Sequence, residues 1–485
     1  MNTNTIQKES PVLISMGSDA VRWKPLAFVV LMAAGIWFVP VRAGIDERAW
    51  HLFAIFVATI LGLIVKPLPL GAVALLGITA TAVTGTLSID EALSGFGNRV
   101  IWLIVIAFFI SRGFIKTGLG SRIAYLFMAA FGKRTLGLAY GLVATDLVLS
   151  PAIPSNTARA GAVIFPIVRS VAKSYGSEPN DGTARTIGSF LITASFQGNV
   201  ITSAMFLTAM AANPLAATLA KDVGVQITWG VWALAALVPG LISLAVVPWL
   251  LYVIYPPAIK ETASAPQLAL GRLREMGKVK PAEYVMLITF VLLLLLWIFG
   301  NMLGIESTTA AFVGLGVLLV SGTLSWEDIL QESGAWNTLL WTSALVMMAT
   351  YLNKLGFIPW FGHTMSGAVH GCGWVTAFLI ISLSYFYSHY LFASNTAHVS
   401  SMYGAFLAVA VAAGTPPLLA ALVLGFFSNL FGSMTHYGTG PAPVLFGAGY
   451  VEMGTWWKLG GLVSVVNIVI WLGIGGLWWK VIGVW

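Results

Sequence analysis

Long stretches of this chain carry no charge at all, and that limits the fold more than any motif does. Runs such as 25–39, 51–65, 229–254, 284–299, 339–351 and 459–479 are almost wholly apolar, and several approach the roughly 20 residues a helix needs to cross hydrocarbon. A helix facing water needs a polar outer face. Only 9% of the 485 residues are charged, against about a quarter in soluble domains, so the chain cannot give each of these segments such a face. Inside lipid every backbone N–H and C=O must be satisfied internally, and uninterrupted apolar runs of this length do so as helices. The expected fold class is an all-α polytopic membrane protein.

The net charge of +7 does not indicate nucleic acid, because the basic residues gather in short loops and not on one folded polar face. Lys260, Arg272, Arg274, Lys278 and Lys280 share one hydrophilic stretch, and Arg22 and Lys24 precede the first span. The positive-inside rule puts both regions, and with them the amino terminus, in the cytoplasm. The apolar run from 25 that ends in "VRAG" has the outline of a signal peptide, but with so many spans after it a first transmembrane helix is the expectation. Cys372 is the single cysteine, which rules out an intrachain disulfide and a cysteine-rich zinc site. His363, His370, His389 and His436 have no acidic partner at metal-ligand spacing. There is no GxSxG elbow, phosphate loop or dinucleotide fingerprint. No enzyme activity, cofactor or metal is expected, and the expected location is a bacterial inner (plasma) membrane.

A repeat runs through the chain. "TGTLSIDEAL" from residue 84 matches "SGTLSWEDIL" from residue 321, Asn98 and Trp102 match Asn337 and Trp341, and "KTGL" from Lys116 matches "KLGF" from Lys354. "SNTA" from Ser155 matches "SNTA" from Ser394. These pairs are separated by 237, 239, 238 and 239 residues, and the common offset gives weight to motifs that would be weak alone. The segment after the first SNTA carries Arg159, Arg169, Lys173 and Arg185, whereas 397–451 holds no Lys or Arg. Corresponding loops therefore face opposite sides, the pattern of an inverted-topology repeat with a binding site near the bilayer midplane. The predicted division is a cytoplasmic amino terminus and first helix over 1–48, a first repeat over 49–255, a cytoplasmic linker over 256–283 and an inverted second repeat over 284–485. About eleven spans are expected, with two re-entrant hairpins at about 136–171 and 373–411.

At the first hairpin, the apolar arms 136–149 and 162–171 are too short to span separately, and Pro151 and Pro154 lie between them. Proline lacks the N–H and discourages helix in the residue before it, so the first arm should end there. Ser155, Asn156 and Thr157 then start the return arm as natural caps. A helix that begins within the membrane offers unpaired N–H groups to an anionic oxygen. Irregular backbone at that depth must be buried in protein or line a water-filled cavity. Two such tips can grip the two ends of a dicarboxylate.

The paired SNT motifs, the prolines before the first, the inverted repeat and the stretch "THYGTGPAPVLFGAGYV" from residue 435 resemble the divalent anion:sodium symporter (DASS) family, in its branch of dicarboxylate exchangers. The resemblance covers almost the whole chain. It implies a homodimer with scaffold and transport domains working by an elevator movement. It assigns Ser155, Asn156 and Thr157 to one substrate-binding tip and Ser394, Asn395 and Thr396 to the other. Unwound segments within Gly198–Ser203 and Tyr437–Pro441 should complete the site, making Asn199, Thr202, Ser203, Gly438 and Thr439 further candidates.

Sodium-coupled members hold sodium at these tips. This chain places Arg159 and His398 each two residues beyond the SNT threonine, where a tethered cation can replace the dissolved one. Moving an uncompensated charge through low dielectric is costly, and a bound dianion cancels it, so the expected activity is sodium-independent exchange of C4 and C5 dicarboxylates (malate, succinate, fumarate, 2-oxoglutarate). Arg159 can alternatively pair with Asp146, and His398 can be a neutral histidine bonded to a carbonyl. The rival activities are a sodium-coupled dicarboxylate symporter, a citrate or tartrate:succinate antiporter and, from another class, an anion channel.

Overall fold

The computed structural model describes residues 21–41, 44–366, 373–392 and 394–485. Cys372, His370 and the first twenty residues lie outside the described residues, and so do the expectations attached to them. The described chain is helical, with one isolated bridge between Arg134 and Glu261 in place of any strand.

The first half runs α1 (Trp23–Trp37), α2 (Glu47–Val65), α3 (Leu70–Val83), α4 (Ile89–Leu93), α5 (Arg99–Thr117), α6 (Leu119–Phe131) and α7 (Thr135–Leu149). Then come the hairpin's return arm, α8 (Asn156–Ala158) and α9 (Phe165–Ser174) joined by a π-helical turn at Arg159–Ile164, and next α10 (Gly188–Met205), α11 (Ala212–Asp222) and α12 (Trp229–Ile254). The linker folds as α13 (Ala265–Met276) and packs on α6.

The second half repeats the order: α14 (Pro281–Phe299), α15 (Ser307–Val320), α16 (Trp326–Leu330), α17 (Ser333–Lys354), α18 (Phe357–Ser366) and α19 (Trp374–Ser388). Its return arm is α20 (Asn395–His398) and α21 (Gly404–Ala412), again joined by a π-helical turn, at Val399–Tyr403. α22 (Pro417–Leu430), α23 (Pro441–Phe446), α24 (Met453–Val469) and α25 (Gly476–Val481) complete it.

Local chemistry accounts for the repeated features. The serine in each TLS motif caps a short helix through a reciprocal box: Glu91 N donates to Ser88 Oγ and Ser88 N to Glu91 Oε2, while Asp328 N donates to Ser325 Oγ and Ser325 N to Asp328 Oδ2. Asn98 Oδ1 accepts from Val100 N at 2.9 Å and starts α5. Gly118, at φ +80, takes the left-handed turn that stops α5 and lets α6 begin. Across the halves, Arg122 forms a forked pair with Glu283, and Lys116 bonds to Asp328.

Among the described residues, five helices are long and apolar enough to cross a bilayer alone: Glu47–Val65, Arg99–Thr117, Trp229–Ile254, Pro281–Phe299 and the continuous Met453–Val481. Shorter apolar helices such as Leu70–Val83 and Ser307–Val320, at 1.5 Å per residue, span only about 21 Å. The core centres on the two broken helices. Every residue of α10 is buried, and α10 packs against α7, α12 and α22.

Candidate functional site

The first tip forms as the prolines dictate. α7 stops at Leu149, the chain turns through Pro151 and Pro154, and Ser155 caps the return arm by accepting from Ala158 N at 3.1 Å. Asn156 is buried just past the cap, its Nδ2 lying 3.3 Å from Thr439 Oγ1 and 3.4 Å from Met210 Sδ. Thr157 stands so close to Gly440 that a Cβ there would overlap its Oγ1. The first tip is therefore seated on the break that follows α22 in the other half.

At the second tip Ser394 caps in the same way, accepting from Ala397 N at 3.4 Å, and Asn395 Nδ2 donates to the Ser428 carbonyl at 2.9 Å. Gly432 lies between the two tips: a Cβ there would sit 3.0 Å from Thr439 Cβ and 3.4 Å from Asn395 Nδ2. Asn156, Thr439, Gly432 and Asn395 thus form one contiguous line joining the tips. Thr396, like Ser155, Thr157 and Ser394, is only partly buried.

Arg159 is completely buried beneath the first tip. Its Nε is 3.1 Å from Asp146 Oδ1, one terminal nitrogen donates to the carbonyls of Ile153 (2.7 Å) and Ala209 (2.6 Å), and the other donates to Ser203 Oγ at 3.0 Å. Of the two roles open to Arg159, the structure adopts the ion pair with Asp146. A guanidinium paired in this way brings no net charge to the tip. The expectation of an uncompensated cation at this position is corrected accordingly. Asp146 also accepts from Asn199 Nδ2 at 3.1 Å and from the Thr202 hydroxyl. Asn199, Thr202 and Ser203 therefore turn their side chains into this ionic network.

Those three residues also correct the expected position of the first break. α10 stays helical through 198–203 and unwinds only over 206–211. Pro214, in the first turn of α11, has no N–H for the Met210 carbonyl and favours an interruption there, although α12 runs on through Pro239 and Pro248. Asn213 Nδ2 accommodates the break by donating to the Ser203 and Phe206 carbonyls at 2.8 and 2.9 Å. Thr208 in the break bonds back to the Pro151 carbonyl at 2.7 Å. The second break covers 434–440, starting before the expected 437–441 and ending where Pro441 opens α23, and it includes Gly438 and Thr439.

His398 is completely buried under the second tip, with Nε2 3.0 Å from Ser388 Oγ and its ring stacked on Tyr385 at 4.6 Å. Nearby His389 has Nε2 2.7 Å from the Gly438 carbonyl; since a carbonyl only accepts, this nitrogen carries the proton. Residues singled out by structure and not by sequence are Asn213, Asn429 and Gln197. Asn429 Nδ2 donates to Asn213 Oδ1 at 2.7 Å, and Gln197 Nε2 donates to the Ser433 carbonyl at 2.9 Å, each joining one broken helix to the other. Their only sequence signal is an amide side chain inside an apolar run.

The sodium:sulfate symporter transmembrane profile matches residues 20–485. The chain belongs to this family, the divalent anion:sodium symporters. Among the symporter family's curated members, YflS of Bacillus subtilis is 61% identical over 96% of the chain and 98% of its own length. Dicarboxylate transporter 1 of Spinacia oleracea chloroplasts is 53% identical, over 95% of this chain and 82% of that protein. The L-tartrate/succinate antiporter of Shigella sonnei is 36% identical, over 94% and 97%. The YdaH transporter of Alcanivorax borkumensis superposes with a TM-score of 0.55 at 12% identity, covering 96% of this chain and 97% of that one, a likeness of fold. Family membership makes the protein a multi-pass membrane transporter of small anions.

Proposed function

We propose that this protein exchanges C4 and C5 dicarboxylates, among them malate, succinate, fumarate and 2-oxoglutarate, without sodium. The observation that carries the reading is the line from Asn156 through Thr439 and Gly432 to Asn395. It sets an amide and hydroxyls from one tip at one end and their counterparts from the other tip at the other end. Amide N–H and hydroxyl donors at two ends suit a molecule with a carboxylate at each. The spinach and Shigella relatives are named for dicarboxylate, tartrate and succinate transport, which is the same substrate chemistry.

Sodium independence rests on Arg159. The Ile153 carbonyl at the tip and the Ala209 carbonyl in the break are the kind of oxygens that coordinate a small cation at a broken helix. Here both are taken by the guanidinium. Arg159 thus fills the cation's place as a positioning group, while His398 stands under the second tip. Coupled exchange follows from the tips themselves. Without an anion, the partly exposed hydroxyls of Ser155, Thr157, Ser394 and Thr396 rely on water, which an apolar environment takes away at a cost, and a bound dicarboxylate removes that cost.

In this reading Ser155, Asn156, Thr157, Ser394, Asn395, Thr396 and Thr439 form the substrate site, and Asn199, Thr202 and Ser203 support it from behind. The repeat is inverted, the tips ride on a transport domain that moves as an elevator against a dimeric scaffold, and the amino terminus is cytoplasmic. Counterflow in proteoliposomes is the test. Uptake that requires internal dicarboxylate and is indifferent to sodium is the expected result. Sodium-dependent uptake into empty vesicles would make the protein a symporter, and unitary anion currents would make it a channel.

A further inference from the structure

The second tip faces a small cavity whose chemistry the tips alone do not explain. The cavity encloses 140 Å³, with Ser394 and Thr396 on one side and Lys66, Leu70, Trp341 and Leu345 on the other. Lys66 is the one charged residue among those that line it, and among the described residues it joins no ion pair. A cation opposite two hydroxyls, with no carboxylate in the wall, is an anion-recognition set.

The backbone fixes the corner from which the Lys66 side chain extends. Lys66 caps α2 at φ 50 and ψ 62, a left-handed conformation that glycine or asparagine adopts more cheaply than a long side chain. Pro67 and Pro69 follow directly, which limits the corner's freedom. Arg22 pins it further, with Nη1 donating to the Val65 carbonyl at 3.2 Å and its backbone N–H donating to the Pro67 carbonyl at 3.0 Å. The Lys66 side chain is thus carried on a restrained corner. The equivalent corner of the second half, residues 300–306 between α14 and α15, contains no Lys or Arg; the cavity beside it is lined by Arg99, which pairs with Glu306, and by Lys221.

We propose that Lys66 is a substrate-binding residue for one conformer only: with the second tip against the α2–α3 corner, its ammonium pairs with a carboxylate of the dicarboxylate held at Ser394 and Thr396. When the tip moves away from the corner this contact is lost. The contribution of Lys66 to apparent affinity is therefore confined to the face of the membrane on its own side. The inference rests on the dicarboxylate-exchange reading.

The test uses the full-length protein in proteoliposomes, with the KM for radiolabelled succinate measured separately from each face. Lys66→Asn removes the charge and suits the left-handed corner, Lys66→Gly does the same without an amide, and Lys66→Arg keeps the charge. Both neutral variants are expected to raise the KM at the Lys66 face about tenfold, the loss of one charge-assisted contact of about 1.4 kcal/mol, and so to shift the ratio of the two KM values by about tenfold. Lys66→Arg should stay within about threefold of the parent. Neutral variants that leave the ratio unchanged, whether by no effect or by an equal effect on both faces, would overturn the inference. Asn395→Ala separates this from the parent reading. If it abolishes exchange while the Lys66 variants leave the ratio unchanged, only the Lys66 role falls. If it exchanges normally, the site itself is wrong.

Discussion

Replacing Arg159 by methionine tests the central argument about the first tip. The guanidinium makes four contacts, to Asp146, Ser203 and the carbonyls of Ile153 and Ala209, all out of water. Methionine fills much of the volume and makes none of them. Asp146, 2% exposed, keeps only Asn199 and Thr202 as donors. Breaking a buried pair from one side costs about 3–5 kcal/mol, and each stranded carbonyl adds about 1–3 kcal/mol unless water reaches it. A loss of at least about 4 kcal/mol is therefore expected, read as a marked fall in melting temperature in detergent. Arg159→Met combined with Asp146→Leu should recover the part due to the unpaired carboxylate, since that charge is gone. The smaller Arg159→Ser opens the oxygen cage of Asp146, Ile153 and Ala209. Sodium, and not choline, should stabilise this variant, by about 2.7 kcal/mol where sodium reaches a hundred times its dissociation constant, and so raise its melting temperature. A double variant as unstable as the single, or an Arg159→Ser protein insensitive to sodium, would refute the idea that the guanidinium stands where a cation would bind.

Asn156→Ala and Asn395→Ala should each abolish exchange while the protein remains folded, checked by counterflow beside a melting curve. Gly432→Ala pushes a methyl between Thr439 and Asn395; transport should fall at least about tenfold while stability drops by about 1–3 kcal/mol, a split visible in the same two assays. Asn213→Leu strands the Ser203 and Phe206 carbonyls and should lower stability by about 2–4 kcal/mol even though Asn213 lies outside the proposed site. Burial favours the neutral form of Asp328, yet bonds from Lys116 and Ser325 hold its carboxyl down at about 2. A depressed carboxyl stabilises the fold above its unfolded pKa, near 3.9, and loses that contribution as pH falls through the folded value. The melting deficit of Asp328→Asn should therefore be constant above pH 5 and shrink from about pH 4 towards pH 2.

The hairpin was legible because proline and the cap residues act locally: Pro151, Pro154 and Ser155 decide where α7 ends and the return arm begins whatever surrounds them. The repeated TLS serine was legible as a correspondence, though not as a capping box until Glu91 and Asp328 were seen closing it. The first break lies outside the segment the sequence suggests because the polar residues there find partners distant in sequence. Gly198 and the polar residues to Ser203 invite an unwound segment, but a glycine only permits unwinding, and Asn199, Thr202 and Ser203 are bonded to Asp146 and Arg159 from an intact helix. Asn213 and Asn429 were passed over because a lone amide in an apolar run has no partner in sequence. Their 2.7 Å bond joins residues 216 positions apart.

The same comparison explains why two identical tetrapeptides need not do the same work. What SNTA specifies is a cap and a first turn, and both copies deliver it, with Ser155 and Ser394 accepting from the third residue on. What lies below each tip is set by residues outside the SNTA motif. Under the first, Asp146 and Ser203 bond the guanidinium, and Asn199 and Thr202 bond Asp146 in turn. Under the second, Tyr385, Phe392 and Phe431 close around the imidazole of His398, whose Nδ1 has no partner among the described residues. A polar, hydrogen-bonded support resists displacement, because each broken contact leaves a buried group unmatched. An aromatic support held by stacking can slide at lower cost, since dispersion contacts are many, weak and non-directional. If one tip yields when substrate enters, it is therefore the second, and hydrogen exchange should show Asn395–Tyr403 opening more readily than Asn156–Ile164. Equal protection of the two segments would mean that the support beneath a tip does not govern its mobility.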